Sequence, residues 1–165
     1  MNTGYPGAAI ASHYAANPRH CPLSNDVCLA YNYGFNAAGY ALLYAASQNA
    51  HSTVWWLDVE TENSWSANHQ TNRAALLGMI DAIKRNTIFS AIGIYSTPLQ
   101  WKHIMGDWHN GLPNWVGTGS TGRSVAIATC HGSNFTGGGT LLAQYTRKLD
   151  RDYVCGNSSV QLVEP

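Results

Sequence analysis

Apolar positions along the chain recur with two different periods. Between residues 26 and 49, Leu29, Tyr33, Ala37, Tyr40, Leu43 and Tyr44 repeat near helical spacing, which predicts a helix capped by Ser24 or Asn25. From Thr53 to Glu60 the run Val54-Trp55-Trp56-Leu57 is apolar on both faces and ends in charge, the pattern of a strand buried within a sheet. A second helix is predicted over 68–86, with Leu76, Met79, Ile80 and Ile83 on one face. Its Lys84 and Arg85 sit near the C-terminal end, where the helix dipole favours cations. Ile92-Gly93-Ile94-Tyr95 reads as the next strand. Thr97-Pro98 then starts a helix carrying Leu99, Trp101, His103 and Ile104. Short strands are expected at 114–116, 125–129 and 141–145, with a glycine-rich loop over 131–140. Residues 4–25 read as loop, punctuated by Gly4, Pro6, Gly7, Asn17, Pro18 and Pro22. There is no internal repeat and no linker, so residues 1–165 are expected to form one domain.

Alternation of helices with strands apolar on both faces implies parallel strands joined by crossover helices, an α/β fold. A closed eight-stranded barrel takes about 250 residues. The 165 residues here suffice for a short or incomplete TIM-like β/α barrel.

Composition narrows the chemistry. Hydrophobic residues make up 45% of the chain, enough for a core, and only 11% are charged. Nine basic and nine acidic residues cancel, which argues against nucleic acid as a partner, since binding phosphates takes a basic stripe. No 18-residue apolar stretch occurs, so no membrane span is expected. Carboxylate chemistry must come from Asp26, Asp58, Glu60, Glu62, Asp81, Asp107, Asp150, Asp152 and Glu164.

Four cysteines occur, Cys21, Cys28, Cys130 and Cys155, with no CxxC and no histidine pair at zinc spacing; no metal and no cofactor is expected. Four cysteines allow three pairings. Chain order suggests Cys21 with Cys28 and Cys130 with Cys155, the alternative being four reduced, buried thiols. Few Lys and Glu beside many Asn, Ser, Thr, Gly and Trp point to a secreted, extracellular protein stabilised by disulfides. Residues 1–7 have neither a basic nor an apolar leader region, so the sequence reads as a mature fragment or one that has lost its leader.

Side chains alternate across a strand, so Trp56, Asp58 and Glu60 share one face while Trp55, Leu57 and Val59 take the other. Two carboxylates at the C-terminal end of a parallel strand lie where α/β enzymes place their sites. Burial and mutual repulsion would keep one protonated beside an ionised partner, the combination glycoside hydrolysis uses. The competing reading is a capping Asp followed by a solvated Glu. Asp150 and Asp152 form the other close pair, in a segment that also reads as a charged surface turn paired by Arg147, Lys148 and Arg151. Asp81 and Asp107 are expected to be solvated, and Asp26 to be a helix N-terminal charge. Trp56, Trp65, Tyr95, Trp115 and Tyr145 lie in or beside strands, where rings can line a cleft and stack on sugars; Trp55, Trp101 and Trp108 read as core.

These residues also carry a resemblance. Trp55-Trp56-Leu57-Asp58-Val59-Glu60 followed by Asn63-Ser64-Trp65 resembles bacterial secreted proteins related to glycoside hydrolase family 25, the lysozymes (N-acetylmuramidases) built on a modified β/α barrel. Gly93-Ile94-Tyr95-Ser96, Pro113-Asn114-Trp115-Val116 and Gln144-Tyr145 followed by Asp150-Arg151-Asp152 agree in order, so the resemblance spans about 53–155. It implies Glu60 as the catalytic acid, assisted by Asp58 and Asp150. The cleft would be lined by Trp56, Tyr95, Trp115, Gln144 and Tyr145, with a polysaccharide, peptidoglycan above all, as substrate. The opening Asn2–Gly7 resembles the end of the family's second strand, so the first strand, with its own Asp, is missing from the pattern. An open barrel of this kind exposes a strand edge that invites pairing with a second copy. The four cysteines are not general in the family and suggest a stapled subgroup.

Three rival classes accompany this reading. The scaffold could serve as a non-catalytic carbohydrate-binding or pseudoenzyme domain. It could be a secreted effector that assembles through its open edge. A serine or cysteine hydrolase is disfavoured, because there is no Gly-x-Ser-x-Gly elbow and the cysteine count is even.

Overall fold

The structure, a computed structural model, describes residues 1–86, 91–132 and 134–156; Glu164 lies outside the described residues. The segment read as loop contains a short helix, α1 (Ala8–Ala11), and a 3-10 turn at Ser12–Tyr14. Helix α2 (Asp26–Ser47) begins where expected: Asn25, not Ser24, caps it, its side chain accepting a hydrogen bond from Cys28 N at 3.0 Å. Asp26 occupies the first turn and also accepts from the Tyr5 hydroxyl. Helix α3 (His69–Asn86) packs on α2 so closely that a Cβ on Gly34 would lie 1.9 Å from Ala75 O. One on Gly78 would lie 2.0 Å from Tyr31 O. Glycine is what lets the two backbones touch.

Among the described residues five strands occur in the same spatial and chain order: β1 (Val54–Asp58), β2 (Ala91–Ser96), β3 (Asn114–Gly117), β4 (Thr140–Thr146) and β5 (Asp150–Val154). The first four are parallel and β5 returns antiparallel beside β4. Helix α4 (Pro98–Met105), capped by Thr97, links β2 to β3. The register aligns Trp56 with Gly93, Asp58 with Tyr95, Tyr95 with Trp115 and Gly117 with Gln144. Among the described residues β1 and β5 do not pair with each other, so the sheet is open. At the outer side of β1, Asn2 bridges Asp58 in parallel, so part of that edge is already occupied by the chain's own start. On the helix side of the sheet, Leu57, Val59, Ile94 and Val116 pack against Leu76, Met79, Ile80, Ile83, Trp101, Ile104 and Met105.

Two expected elements differ. Residues 125–129 are not a strand but part of helix α5 (Arg123–Gly132). The parallel neighbours β3 and β4 need a crossover between them, and that demand outweighs the β-branched residues in the segment. In the helix, Ala126 and Cys130 share the face toward the sheet, and Cys130 reaches Cys155. The charged stretch around Asp150 is not a turn but an edge strand, β5. Asp81 is not simply solvated, since its Oδ2 accepts from the Tyr31 hydroxyl at 2.6 Å. Asp107 is exposed and pairs with Lys102 at 3.2 Å. The disulfides are Cys21–Cys28 and Cys130–Cys155. Among the described residues no helix is long and apolar enough to cross a membrane.

Candidate active site

Alternation along β1 sends Leu57 and Val59 into the core, fully buried, and leaves Trp56, Asp58 and Glu60 on the opposite face. The neighbouring strands add Tyr95 from β2, Trp115 from β3 and Gln144 from β4. The β4–β5 hairpin adds Asp150, because an antiparallel strand begins at the end where its parallel neighbour finishes. Trp56, Asp58, Glu60, Tyr95, Trp115, Gln144 and Asp150 together line one cleft of about 390 Å³, with Met1 and Asn2 at its side. A groove of similar size along α2, lined by Phe35, Tyr40 and Leu43, contains no carboxylate or histidine.

The rings are held in place. Trp115 meets Trp56 edge-on at 5.7 Å between centroids and Tyr95 at 5.0 Å. Its indole N–H donates to Asp152 Oδ1 at 2.8 Å. Gly93 leaves room for the Trp56 ring, whose nearest carbon lies 2.2 Å from where a Cβ would stand. The Tyr95 hydroxyl donates to Gln144 Oε1 at 2.7 Å. Across the hairpin, Thr146 Oγ1 donates to Asp150 Oδ1 at 2.8 Å.

Charge is concentrated here. Burial holds the Asp58 carboxyl above the ordinary carboxylate range. Burial also raises Glu60, helped by the negative charges of Asp58 and Glu62 and by a hydrogen bond to Asp58. The charge of the Met1 amino group, and after it that same bond, act to lower Asp58, while for Glu60 every cause acts upward. Tyr95 is pushed up to about 12, first by burial and then by the carboxylates Glu60, Asp58, Asp150 and Asp152. Its hydroxyl therefore stays a donor. Asp58 Oδ1 is buried with no hydrogen-bond partner among the described residues. Among those residues, no three His, Cys, Asp or Glu are grouped to hold a metal ion.

Of the residues expected in the cleft, Tyr145 is not brought into it. It lies one position from Gln144 on β4 and so faces the other way, buried with Ala126, Ala143 and Cys155. Trp65 likewise stands outside this cleft, donating its indole N–H to Glu60 O at 2.8 Å. Sequence reasoning missed Thr146 and Asp152 as partners of Asp150 and Trp115, and Ser96 as the donor to the Val59 carbonyl that precedes Glu60. Ser96 stood in the Gly93-Ile94-Tyr95-Ser96 stretch, a hydroxyl on an otherwise apolar strand face, with nothing local to show its partner.

Carboxylates and aromatic rings thus meet at the C-terminal ends of parallel strands in an α/β scaffold. The chain belongs to the family of lysozyme-like protein 1 (Lys-1), whose model matches residues 31–123, more than half of the chain. That match takes in Asp58, Glu60, Tyr95 and Trp115 and stops before Gln144 and Asp150. The chain is also similar to "Probable GH family 25 lysozyme 5" of Dictyostelium discoideum. The two are 35% identical over 63 residues, 36% of this chain and 29% of that protein. With "Probable GH family 25 lysozyme 4" of the same organism it shares 32% identity over 74 residues, 44% of this chain and 33% of that protein. The matches thus span about a third of the length of these relatives. No solved structure matches the chain. The likeness to family 25 is therefore supported, and neither a bacterial nor a secreted origin is part of it.

Proposed function

We propose that the protein is a lysozyme-like glycoside hydrolase that cleaves the peptidoglycan of bacterial cell walls. The observation that carries this reading is the meeting of Asp58, Glu60 and Asp150 with the rings of Trp56, Tyr95 and Trp115 in one cleft. Glu60, its carboxyl raised by burial and by its acidic neighbours, gives its proton to the glycosidic oxygen. Asp58 and Asp150 offset the positive charge that develops on the sugar, or Asp58 orients an N-acetyl substituent through its unpartnered Oδ1. Water completes the hydrolysis and the proton returns to Glu60. Trp56 and Trp115 offer their faces to the sugar, and Gln144, held by Tyr95, offers its amide. Two disulfides and the composition support an extracellular setting.

Clearing of a turbid peptidoglycan suspension tests the assignment. The wild-type protein should clear it and Glu60→Gln should not; an E60Q protein with full activity refutes the role of Glu60. An open five-stranded sheet also favours a second reading, a domain on the same scaffold that binds carbohydrate without cutting it. Labelled glycan bound by the wild type without any release of reducing ends would establish that reading instead.

A further inference from the structure

Glu60 is borne by a residue just outside the sheet. The β1–β2 register ends at Asp58 opposite Tyr95, and the last backbone bond runs from Val59 N to Tyr95 O at 2.9 Å. Beyond it the ladder no longer sets where a side chain points. Three successive carbonyls at this strand end are instead each held by a side chain from a different segment. Thr3 Oγ1 donates to Asp58 O at 2.5 Å, Ser96 Oγ to Val59 O at 2.7 Å, and Trp65 Nε1 to Glu60 O at 2.8 Å. Asn63 N adds a bond to Glu60 O at 3.2 Å.

The direction of a Cα–Cβ bond is set by the two peptide planes on either side of it, because each plane is rigid. Ser96 holds the plane before Glu60 through the Val59 carbonyl. Trp65 and Asn63 hold the plane after it through the Glu60 carbonyl. Ser96 is fully buried, so its hydroxyl has no water to bond instead. Its other neighbour, Thr97 O, is farther off at 3.1 Å. Trp65 is half-buried against the core, so its indole N–H is presented from a fixed ring.

We propose that Ser96 and Trp65 are positioning residues for the Glu60 carboxyl, fixing the peptide planes on both sides of its Cα and so holding it in the cleft on the face it shares with Asp58. The proposal rests on the reading of Glu60 as the acid and adds what keeps it in place. Loss of either bond frees one plane, lets the carboxyl leave its place in the cleft, and loosens the geometry on which proton delivery depends.

Trp65→Phe keeps a ring and removes the N–H; Ser96→Ala keeps the volume and removes the hydroxyl. The deciding measurement is the titration of the Glu60 side-chain carboxyl by carbon NMR in the substrate-free, full-length protein. In both variants its midpoint should move toward the ordinary range by about half a pH unit or more. On peptidoglycan, kcat should fall on the order of 10- to 100-fold with KM within about twofold, and the alkaline limb of the pH profile should move down with the midpoint. Folded variants whose Glu60 midpoint stays within about 0.2 of the wild-type value overturn the proposal. Should Ser96→Ala fail to fold, Trp65→Phe, at a half-buried loop position, decides alone. The titration needs no substrate. A wild-type protein that never cuts glycan would sink the hydrolase reading and leave the positioning test intact. An active protein with unmoved midpoints would do the reverse.

Discussion

Three fully buried asparagines, Asn32, Asn72 and Asn114, clamp the loops that the helices and strands leave behind. Asn72 Nδ2 donates to Ser66 O and Ile104 O, both at 2.9 Å, and its Oδ1 accepts from Ser66 N at 2.9 Å. Asn72→Ala strands these backbone groups in the interior and should cost about 2–3 kcal/mol in urea unfolding. Above the ordinary carboxylate range the cleft carboxyls work against stability. Their folded pKa values are raised, so the folded protein holds those protons more tightly than the unfolded chain does. The resulting stabilisation is complete below the ordinary carboxylate value and is lost as pH rises through the raised values. Glu60→Gln escapes part of that loss. Its melting temperature should gain on the wild type as pH rises from about 4 to about 7, and parallel melting curves in calorimetry would contradict this. The shared face of Asp58 and Glu60 was legible because a strand has a period of two. The asparagine clamps were not, because Asn72 meets its farthest partner 32 residues along the chain and no local pattern encodes that distance.

At the scale of elements, the hairpin of β4 and β5 decides which side chains meet. Gln144 and Tyr145 are neighbours in sequence and lie on opposite faces of the sheet, so rings on the two faces make contrasting variants. Trp115→Ala should weaken binding of a peptidoglycan fragment about tenfold through loss of a stacking ring, whereas Tyr145→Phe should leave it unchanged; isothermal titration calorimetry reads both. Equal losses would mean that the sugar does not lie on this face. The helices α2 and α3 and the strands β1 and β2 were plain in the sequence, since each pairs a clear period with a clear cap or a charged end. Helix α5 was hidden because Val125, Ile127 and Thr129 favour a strand locally, and topology overrules them. Strand β5 was hidden for the opposite reason. An exposed edge strand tolerates charge, and Asp150, Arg151 and Asp152 guard it against pairing with another chain, so it carries no apolar signal.

At the scale of the whole molecule, an open sheet of five strands relies on covalent ties. Chain length alone pointed to a short or incomplete barrel. Which end stays open was not legible, because that depends on which strands find partners. Cys130–Cys155 spans 25 residues and Cys21–Cys28 spans 7. On the loop-entropy account their removal should cost about 3.5 and about 2.5 kcal/mol respectively. Denaturant unfolding of the two serine double variants checks the order, and a larger loss at Cys21–Cys28 would contradict it. The later disulfide also has a mechanical meaning. Cys155 directly follows β5 and is anchored to α5, a different element from the β4 strand that β5 pairs with. Cys155 N also donates to Leu141 O of β4 at 2.8 Å, so fraying of the hairpin from this end has to break a covalent tie to α5 as well as a hydrogen bond. Asp150, at the far end of the same strand, thereby keeps its register opposite Thr146.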